Sequence, residues 1–454
     1  MPPISFPRRK NSFLKTEILK TLRNDPHLEK DSFKSMIQKL LLHLRAVGPA
    51  LIVAAVVLGP GSILTSSKVG AQFGYSGLFF LILSSILMIA MVALSTHLGM
   101  VHKNGLCEEL AHYLGRGYSV FIGLVLFSVI ALYQSSNNVA MIAAVELLVG
   151  RNQLNLLVAD SHSKTLFLLL INGFVTICLY LMTQLYSWIE RAMKTLVLVM
   201  ILAFFVNFFI VLLQPMDYIP ATNPVKIDLI PLMAMIGTTF SIAGAFYQAY
   251  LVREKGWTFA NWRQGITDSV FGISVLSMVT GIILITAVIL FHGRQDPVVL
   301  NSIEDIASQL EPLFGKGATV IFSFGIIAGA LSSFLVNAVI GGTVLSDSLG
   351  KGSRIDSNWT KNLTILVLFI GMTIAIISLF GSKGALPVIL LAQALTVLGL
   401  PTLGFALIYL GTRPQLTGDR KVPQKILITC FIGFLVACLV ALRTALIIYE
   451  KITV

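Results

Sequence analysis

The sequence predicts an all-α integral membrane protein of about eleven transmembrane helices in which helices 1 and 6 are broken. Three observations carry that fold class. Of 454 residues, 56% are hydrophobic and only 12% are charged, and the mean hydropathy is +0.86; a soluble domain carries about 25% charged residues. The apolar residues come in runs of 20 or more, long enough to cross a hydrocarbon layer of about 30 Å at about 1.5 Å per residue. Two of those runs are interrupted at mid-depth by glycine, proline or small hydroxylated residues. A cytosolic enzyme, a secreted disulfide scaffold and a disordered chain are excluded.

Residues 1–45 read as a basic cytoplasmic tail, too polar at the start for a secretory signal. Within it Phe33, Met36, Ile37, Leu40, Leu41 and Leu44 recur at helical spacing, with Lys34, Lys39 and Arg45 between them. That pattern fits an amphipathic helix on the inner leaflet, or equally one packed on the protein's own inner face. Eleven spans follow, near 47–73, 76–101, 118–149, 164–182, 187–213, 229–252, 266–291, 318–348, 362–380, 386–410 and 424–449. They divide into a first five-helix repeat (46–213), a second (214–411), and an eleventh helix with a short C-terminus (412–454).

The formal net charge is +12. With the N-terminus inside, 24 Lys and Arg fall on the cytoplasmic side and eight opposite, while Lys68 lies within the first span. That bias places the N-terminus in the cytoplasm and the C-terminus outside, in the plasma (inner) membrane. It accounts for the basic surplus without nucleic acid. Cys178, Cys430 and Cys438 lie inside spans and Cys107 in a short loop, so no disulfide framework is expected.

The first interruption reads Val57-Leu58-Gly59-Pro60-Gly61-Ser62, and the sixth span reads Thr238-Thr239-Phe240-Ser241-Ile242-Ala243-Gly244-Ala245. Proline removes a backbone donor and the glycines ease unwinding. If spans 1–5 and 6–10 are two copies of one unit, the breaks fall at corresponding positions. Matching breaks point to a midplane binding site in a secondary transporter, because freed peptide groups are tolerated in lipid only where they line a cavity or hold a guest.

The residues that carry the next inference are Val47-Gly48-Pro49-Ala50, the stretch from Pro60-Gly61 to Gly70-Ala71, Gly74 and Tyr75, Glu190-Arg191, and Leu391-Ala392-Gln393-Ala394 through Leu400-Pro401. With these the chain resembles the Nramp family, proton-coupled divalent-metal transporters of the amino-acid/polyamine/cation superfamily. The resemblance implies an inverted five-plus-five repeat and a metal site where spans 1 and 6 unwind. Its site signatures are replaced. The family's Asp-Pro-Gly-Asn stands here as Gly59-Pro60-Gly61-Ser62, and its Met-Pro-His falls near Ser241 to Gly244. Family acids and a glutamine in span 1 correspond to Leu64, Ser66 and Lys68, and the acids of its proton route to Tyr133 and Ser136. The glutamine of span 10 is kept, as Gln393.

The substrate-binding candidates are therefore Gly59, Gly61, Ser62, Ser241, Ile242 and Gln393. Ser62, Ser241 and Gln393, with backbone carbonyls, are the metal ligands on offer. This set lacks carboxylate and thioether, which disfavours a dehydrated transition metal and leaves room for an ion that keeps part of its water. Lys68, Tyr133, Gln134, Asn137 and Gln248 are candidates for charge or pathway roles, against snorkelling for Lys68 and interhelical hydrogen bonding for the amides. Asn172 and Asn207 read as helix–helix contacts. Glu190-Arg191, Asp268 and Asp347 are expected in ion pairs at span ends, and Glu108-Glu109 in a loop without partners. No His-Glu-x-x-His, paired mid-span aspartates or phosphate loop is present, so no enzyme and no cofactor are expected. The reading is a secondary transporter of a divalent metal or other small cation by alternating access. Its rivals are a carrier of an anionic or zwitterionic solute and a non-transporting membrane sensor. The expected partners are the small solute and the lipid bilayer, with no nucleic acid and no obligate protein.

Overall fold

A computed structural model of the chain describes residues 48–149, 160–181, 185–213, 228–293, 300, 316–380, 396–414, 416 and 418–453. The amphipathic helix expected within 1–45, the first part of span 10 and Gln393 lie outside the described residues. Among the described residues all regular structure is helical. The helices are α1 (Pro49–Val57), α2 (Pro60–Phe73), α3 (Ser76–Val101), α4 (Leu106–Leu114), α5 (Arg116–Val149), α6 (Ser161–Leu181) and α7 (Leu185–Leu213). They continue with α8 (Leu229–Thr239), α9 (Ile242–Glu254), α10 (Trp262–Phe291), α11 (Lys316–Ser348), α12 (Asn358–Leu379), α13 (Leu400–Gly411) and α14 (Gln424–Thr453).

Helices lie in all eleven expected segments. Among the described residues nine are long and apolar enough to cross a membrane, α8 and α9 counting together, and the bent pair α1/α2 makes a tenth. The eleventh segment, span 10, is described from Thr396 onward. Several helices begin a turn before the apolar run because polar caps extend them. Asn261 closes a capping box with Thr258 just ahead of α10, and the Ser357 hydroxyl accepts from Thr360 N–H at the start of α12.

The long helices α5 and α11 pack along each other, and α11 also lies against α7 and α12. The bent pair fits beside them, α1 against α10 and α11 and α2 against α10 and α8, while α9 packs on α3. Small residues let these backbones approach, since lipid gives helices no hydrophobic reason to associate and close packing must do it. A β-carbon on Gly272 of α10 would stand 2.6 Å from the Ala50 carbonyl carbon of α1. All four cysteines are free thiols, Cys107 and Cys430 buried.

Helix α4 corrects the expectation of a loop. Leu106, Cys107 and Leu110 are buried on one face, Glu108 and Glu109 occupy its first turn, and Gly115 ends it at φ +87°. That is an amphipathic helix with its charge placed to suit the dipole and a left-handed glycine stop. The two glutamates have partners: Arg116 forks onto Glu108 at 2.7 and 2.8 Å, and Glu109 meets His102 Nδ1 at 3.3 Å and accepts from Asn104 at 3.0 Å.

Candidate functional site

Both expected breaks are present. Helix α1 closes when Leu58 N–H bonds the Ala54 carbonyl at 3.0 Å. Gly59 is extended, and Pro60 opens α2, whose axis turns 61° from that of α1. Pro60 sits at the first helical position, where its missing N–H had no partner to lose. Helix α8 closes when Phe240 N–H bonds the Ile236 carbonyl at 2.8 Å, and Ser241 caps α9 by accepting from Gly244 N–H at 3.4 Å.

The last carbonyls of a helix lack intrahelical donors, and in α1 their fates differ. The Ala55 carbonyl accepts from the Ser332 hydroxyl at 3.0 Å. That of Leu58 rests on Gly329, where a β-carbon would come within 2.8 Å of the oxygen. Val56 and Val57 open onto a cavity of about 20 Å³ between the two breaks. Gly59, Gly61 and Ser62 line it from α1/α2, Thr238 and Ser241 from α8/α9, Tyr133 and Asn137 from α5, and Ser333 and Asn337 from α11. By about 10–15 Å³ per water on this measure, the cavity takes one water or one bare ion.

Of the residues the sequence singled out, Gly59, Gly61, Ser62, Ser241, Tyr133 and Asn137 meet at the cavity. Ile242 is buried beside it without lining it, its Cδ1 directed at Gly404. Lys68 is half-buried on α2, eight residues past Pro60, and does not line the cavity. Gln248 bonds the Thr96 hydroxyl of α3 at 3.0 Å, which in turn pairs with Ser269 of α10 at 3.1 Å. Thr238, Ser333 and Asn337 were missed as site residues. A signal existed on span 8, where Ser333 and Asn337 stand four apart on one helix face.

The amides of α5 form a directed chain. Gln134 donates through Nε2 to the Phe334 backbone carbonyl of α11 at 2.8 Å, and Asn137 donates through Nδ2 to Gln134 Oε1 at 3.0 Å. A carbonyl can only accept, so it fixes which end of Gln134 donates, and Gln134 then fixes Asn137. The Asn137 oxygen is left facing the break, where a β-carbon on Gly59 would lie 3.6 Å from it. Asn138 instead bonds the Gln134 carbonyl at 2.8 Å and accepts from Asn172 at 2.7 Å, a helix–helix contact. On α11, Asn337 Nδ2 donates to Ser333 Oγ at 2.9 Å.

The span-end acids need one correction. Glu190 is in an ion pair, with Lys194 at 3.0 Å and Lys255 at 2.5 Å. Asp268 and Asp347 serve instead as helix caps. Asp268 accepts from Gly48 N–H at 2.6 Å and Ala50 N–H at 2.9 Å, closing the start of α1 from α10. Asp347 accepts from Cys107 N–H at 2.9 Å and the Tyr250 hydroxyl at 2.8 Å, tying α11 to α4 and α9. A buried carboxylate with two or three N–H or O–H donors needs no counter-charge beside it.

Chemically the cavity offers hydroxyls, side-chain amides and the backbone of Gly59 and Gly61. Among the described residues no group of three or more His, Cys, Asp or Glu could hold a metal ion, and none of these residue types lines the cavity.

Residues 50–449 match the family model described as Natural resistance-associated macrophage protein-like, Nramp. A divalent metal cation transporter MntH of Mesorhizobium japonicum is 23% identical over 426 residues, covering 89% of this chain and 88% of its own. One from Xanthomonas campestris is 25% identical over 381 residues, with 79% and 80% covered. The solved manganese transporter of Eremococcus coleocola aligns with a TM-score of 0.71 at 19% identity, over 88% of this chain and 86% of that one. A nucleobase-cation-symport-1 transporter, Mhp1, aligns with a TM-score of 0.55 at 12% identity, over 89% and 93%. The structural likenesses establish the fold, and the family match runs from α1 into α14: the chain is an integral membrane protein that belongs to the Nramp family.

Proposed function

We propose that this chain is a secondary membrane transporter that moves a divalent metal or other small cation by alternating access, through a substrate site unlike its family's. The observation that carries the reading is the oxygen-lined cavity where the broken pairs α1/α2 and α8/α9 meet. The C-terminal ends of α1 and α8 converge there, and carbonyl ends of half-helices attract cations. Its relatives are named as divalent metal cation transporters, which supports the same class of substrate. Ser62, Ser241 and Asn137 would supply side-chain oxygens, with Gln393 a further one from span 10. Gly59 and Gly61 would let peptide groups reach the guest. The charge bias of the loops supports a plasma-membrane protein with a cytoplasmic N-terminus.

The test is uptake into proteoliposomes holding the purified protein, with Mn²⁺, Mg²⁺, Na⁺ and a panel of anionic and zwitterionic organic solutes. Cation flux above protein-free vesicles supports the reading. Flux of an organic solute alone would assign the cavity to the N-terminal ends of α2 and α9 and overturn it. Absence of any flux would leave a sensor that keeps the fold.

A further inference from the structure

We propose that the cavity between the breaks is a binding site for a monovalent alkali cation of about sodium size, with the Asn137 carboxamide oxygen as a fixed ligand. This deepens the transporter reading and rests on it. Two properties of the cavity pull a divalent ion in opposite directions. Its side-chain oxygens are all neutral, the hydroxyls of Ser62, Tyr133, Thr238, Ser241 and Ser333 and the amides of Asn137 and Asn337, with no carboxylate lining it. Stripping a divalent ion of water against neutral dipoles leaves its charge undercompensated, so such an ion must keep several waters. Yet about 20 Å³ holds one water or one bare ion. A divalent ion held in this space sheds most of its water there, and neutral oxygens do not balance the charge it then bares. A monovalent ion escapes the conflict. Neutral carbonyl and hydroxyl cages can replace the hydration of an alkali cation, and unwound half-helix carbonyls do so in broken-helix transporters.

Asn137 is the ligand that makes the cavity cation-selective. Its amide group is committed to Gln134, and Gln134 is committed to the Phe334 carbonyl. The chain therefore presents oxygen, not N–H, toward Gly59, and an anion at that point meets an acceptor. The Ser62 hydroxyl, 3% exposed and without a hydrogen-bond partner, is a second oxygen aimed at the same space.

The experiment uses the full chain in detergent and in proteoliposomes. Melting temperature is followed while NaCl replaces choline chloride at constant ionic strength, with KCl, MgCl₂ and MnCl₂ in parallel. ²²Na⁺ uptake is measured with the same salts as competitors. Saturable stabilisation by Na⁺ and Na⁺ uptake support the site. The paired variant is Asn337→Asp, whose new carboxylate the Ser333 hydroxyl can turn to meet. It should raise Mn²⁺ affinity at least about tenfold, because a full charge at contact distance outweighs a dipole, and it should lower the preference for Na⁺. Uptake of Mg²⁺ or Mn²⁺ that Na⁺ neither supports nor competes with would overturn the monovalent site and leave the transporter reading standing. Flux of organic solute alone, with no response to any cation, would overturn both.

Discussion

Ser333 occupies the space that a side chain at Gly59 would need: a β-carbon built on Gly59 stands 2.7 Å from the Ser333 hydroxyl and 3.0 Å from its Cβ. Any side chain at this position is thus coupled to a residue on α11, and the two have to be exchanged together. Gly59→Asp alone forces an overpacked contact, typically about 1–3 kcal/mol. It should lower the melting temperature without creating Mn²⁺ binding. Gly59→Asp with Ser333→Gly and Ser62→Asn removes the clash and supplies a carboxylate beside an amide. Calorimetry should then detect Mn²⁺ binding that the wild type and the single variant lack.

The direction of the Asn137 amide depends on Gln134. Gln134→Leu removes the donor to the Phe334 carbonyl and the acceptor for Asn137 in one step. Each buried group left unpaired costs about 1–3 kcal/mol, so a drop in melting temperature is expected. Gln134→Glu discriminates further. When ionised, its carboxylate still accepts from Asn137 but faces the Phe334 carbonyl with no donor, so stability and uptake should stay low wherever that carboxyl is ionised.

Ten of the apolar segments and both breaks were legible because bilayer thickness and the cost of bare peptide groups write themselves into local sequence. Half of the cavity was legible by the same route, since Gly59, Ser62 and Ser241 sit at the interruptions. Ser333 and Asn337 left only their four-residue spacing as a local signal, because what brings them to the cavity is the packing of α11 along α5, which that spacing does not report. Asp268 and Asp347 were misassigned to ion pairs for the same reason. Their donors are backbone N–H groups 220 and 240 residues away. Helix α4 reads as a loop in the sequence: its Gly105 and Gly115 stops and acidic first turn are helix signals, but nine residues are too few to stand out between long spans.

Asp268 holds the start of the broken span from outside it. Gly48 offers no side-chain cap of its own, so the two N–H groups depend on the carboxylate of α10. Asp268→Asn keeps one acceptor and turns an N–H₂ toward a backbone donor, while Asp268→Ala leaves both N–H groups bare. Charge-assisted hydrogen bonds are worth about 1.5–3 kcal/mol each, so stability should fall in the order wild type, Asn, Ala. Hydrogen exchange should localise the loss to the first turn of α1.

Helix α4 carries a pH dependence with a defined sign. The hydrogen bond with His102 is the main influence holding the Glu109 carboxyl below its ordinary value of 4.5, with burial opposing it and Asn104 helping. A carboxyl depressed in the folded state adds stability that is full above the unfolded value and is lost as pH falls through the folded one. The attachment of α4 to the end of α3 should therefore be full above the ordinary value of 4.5 and loosen as pH falls below it through the depressed folded value. Limited proteolysis across 102–116 over a pH series reads this directly. Glu109→Gln should remove the pH step while leaving the helix in place.

Ser62 separates a ligand from a structural hydroxyl. Its oxygen is buried and has no hydrogen-bond partner, so the fold gains no bond from it. Deleting an unsatisfied buried hydroxyl is close to neutral or stabilising, the reverse of deleting a bonded one. Ser62→Ala should keep or raise the melting temperature in the absence of ions, while cation-dependent stabilisation and uptake both fall. Ser332→Ala is the contrasting case, since that hydroxyl bonds the Ala55 carbonyl and its loss should lower stability with or without ions. A Ser62→Ala protein that melts lower yet transports normally would place the hydroxyl in the scaffold and remove it from the site.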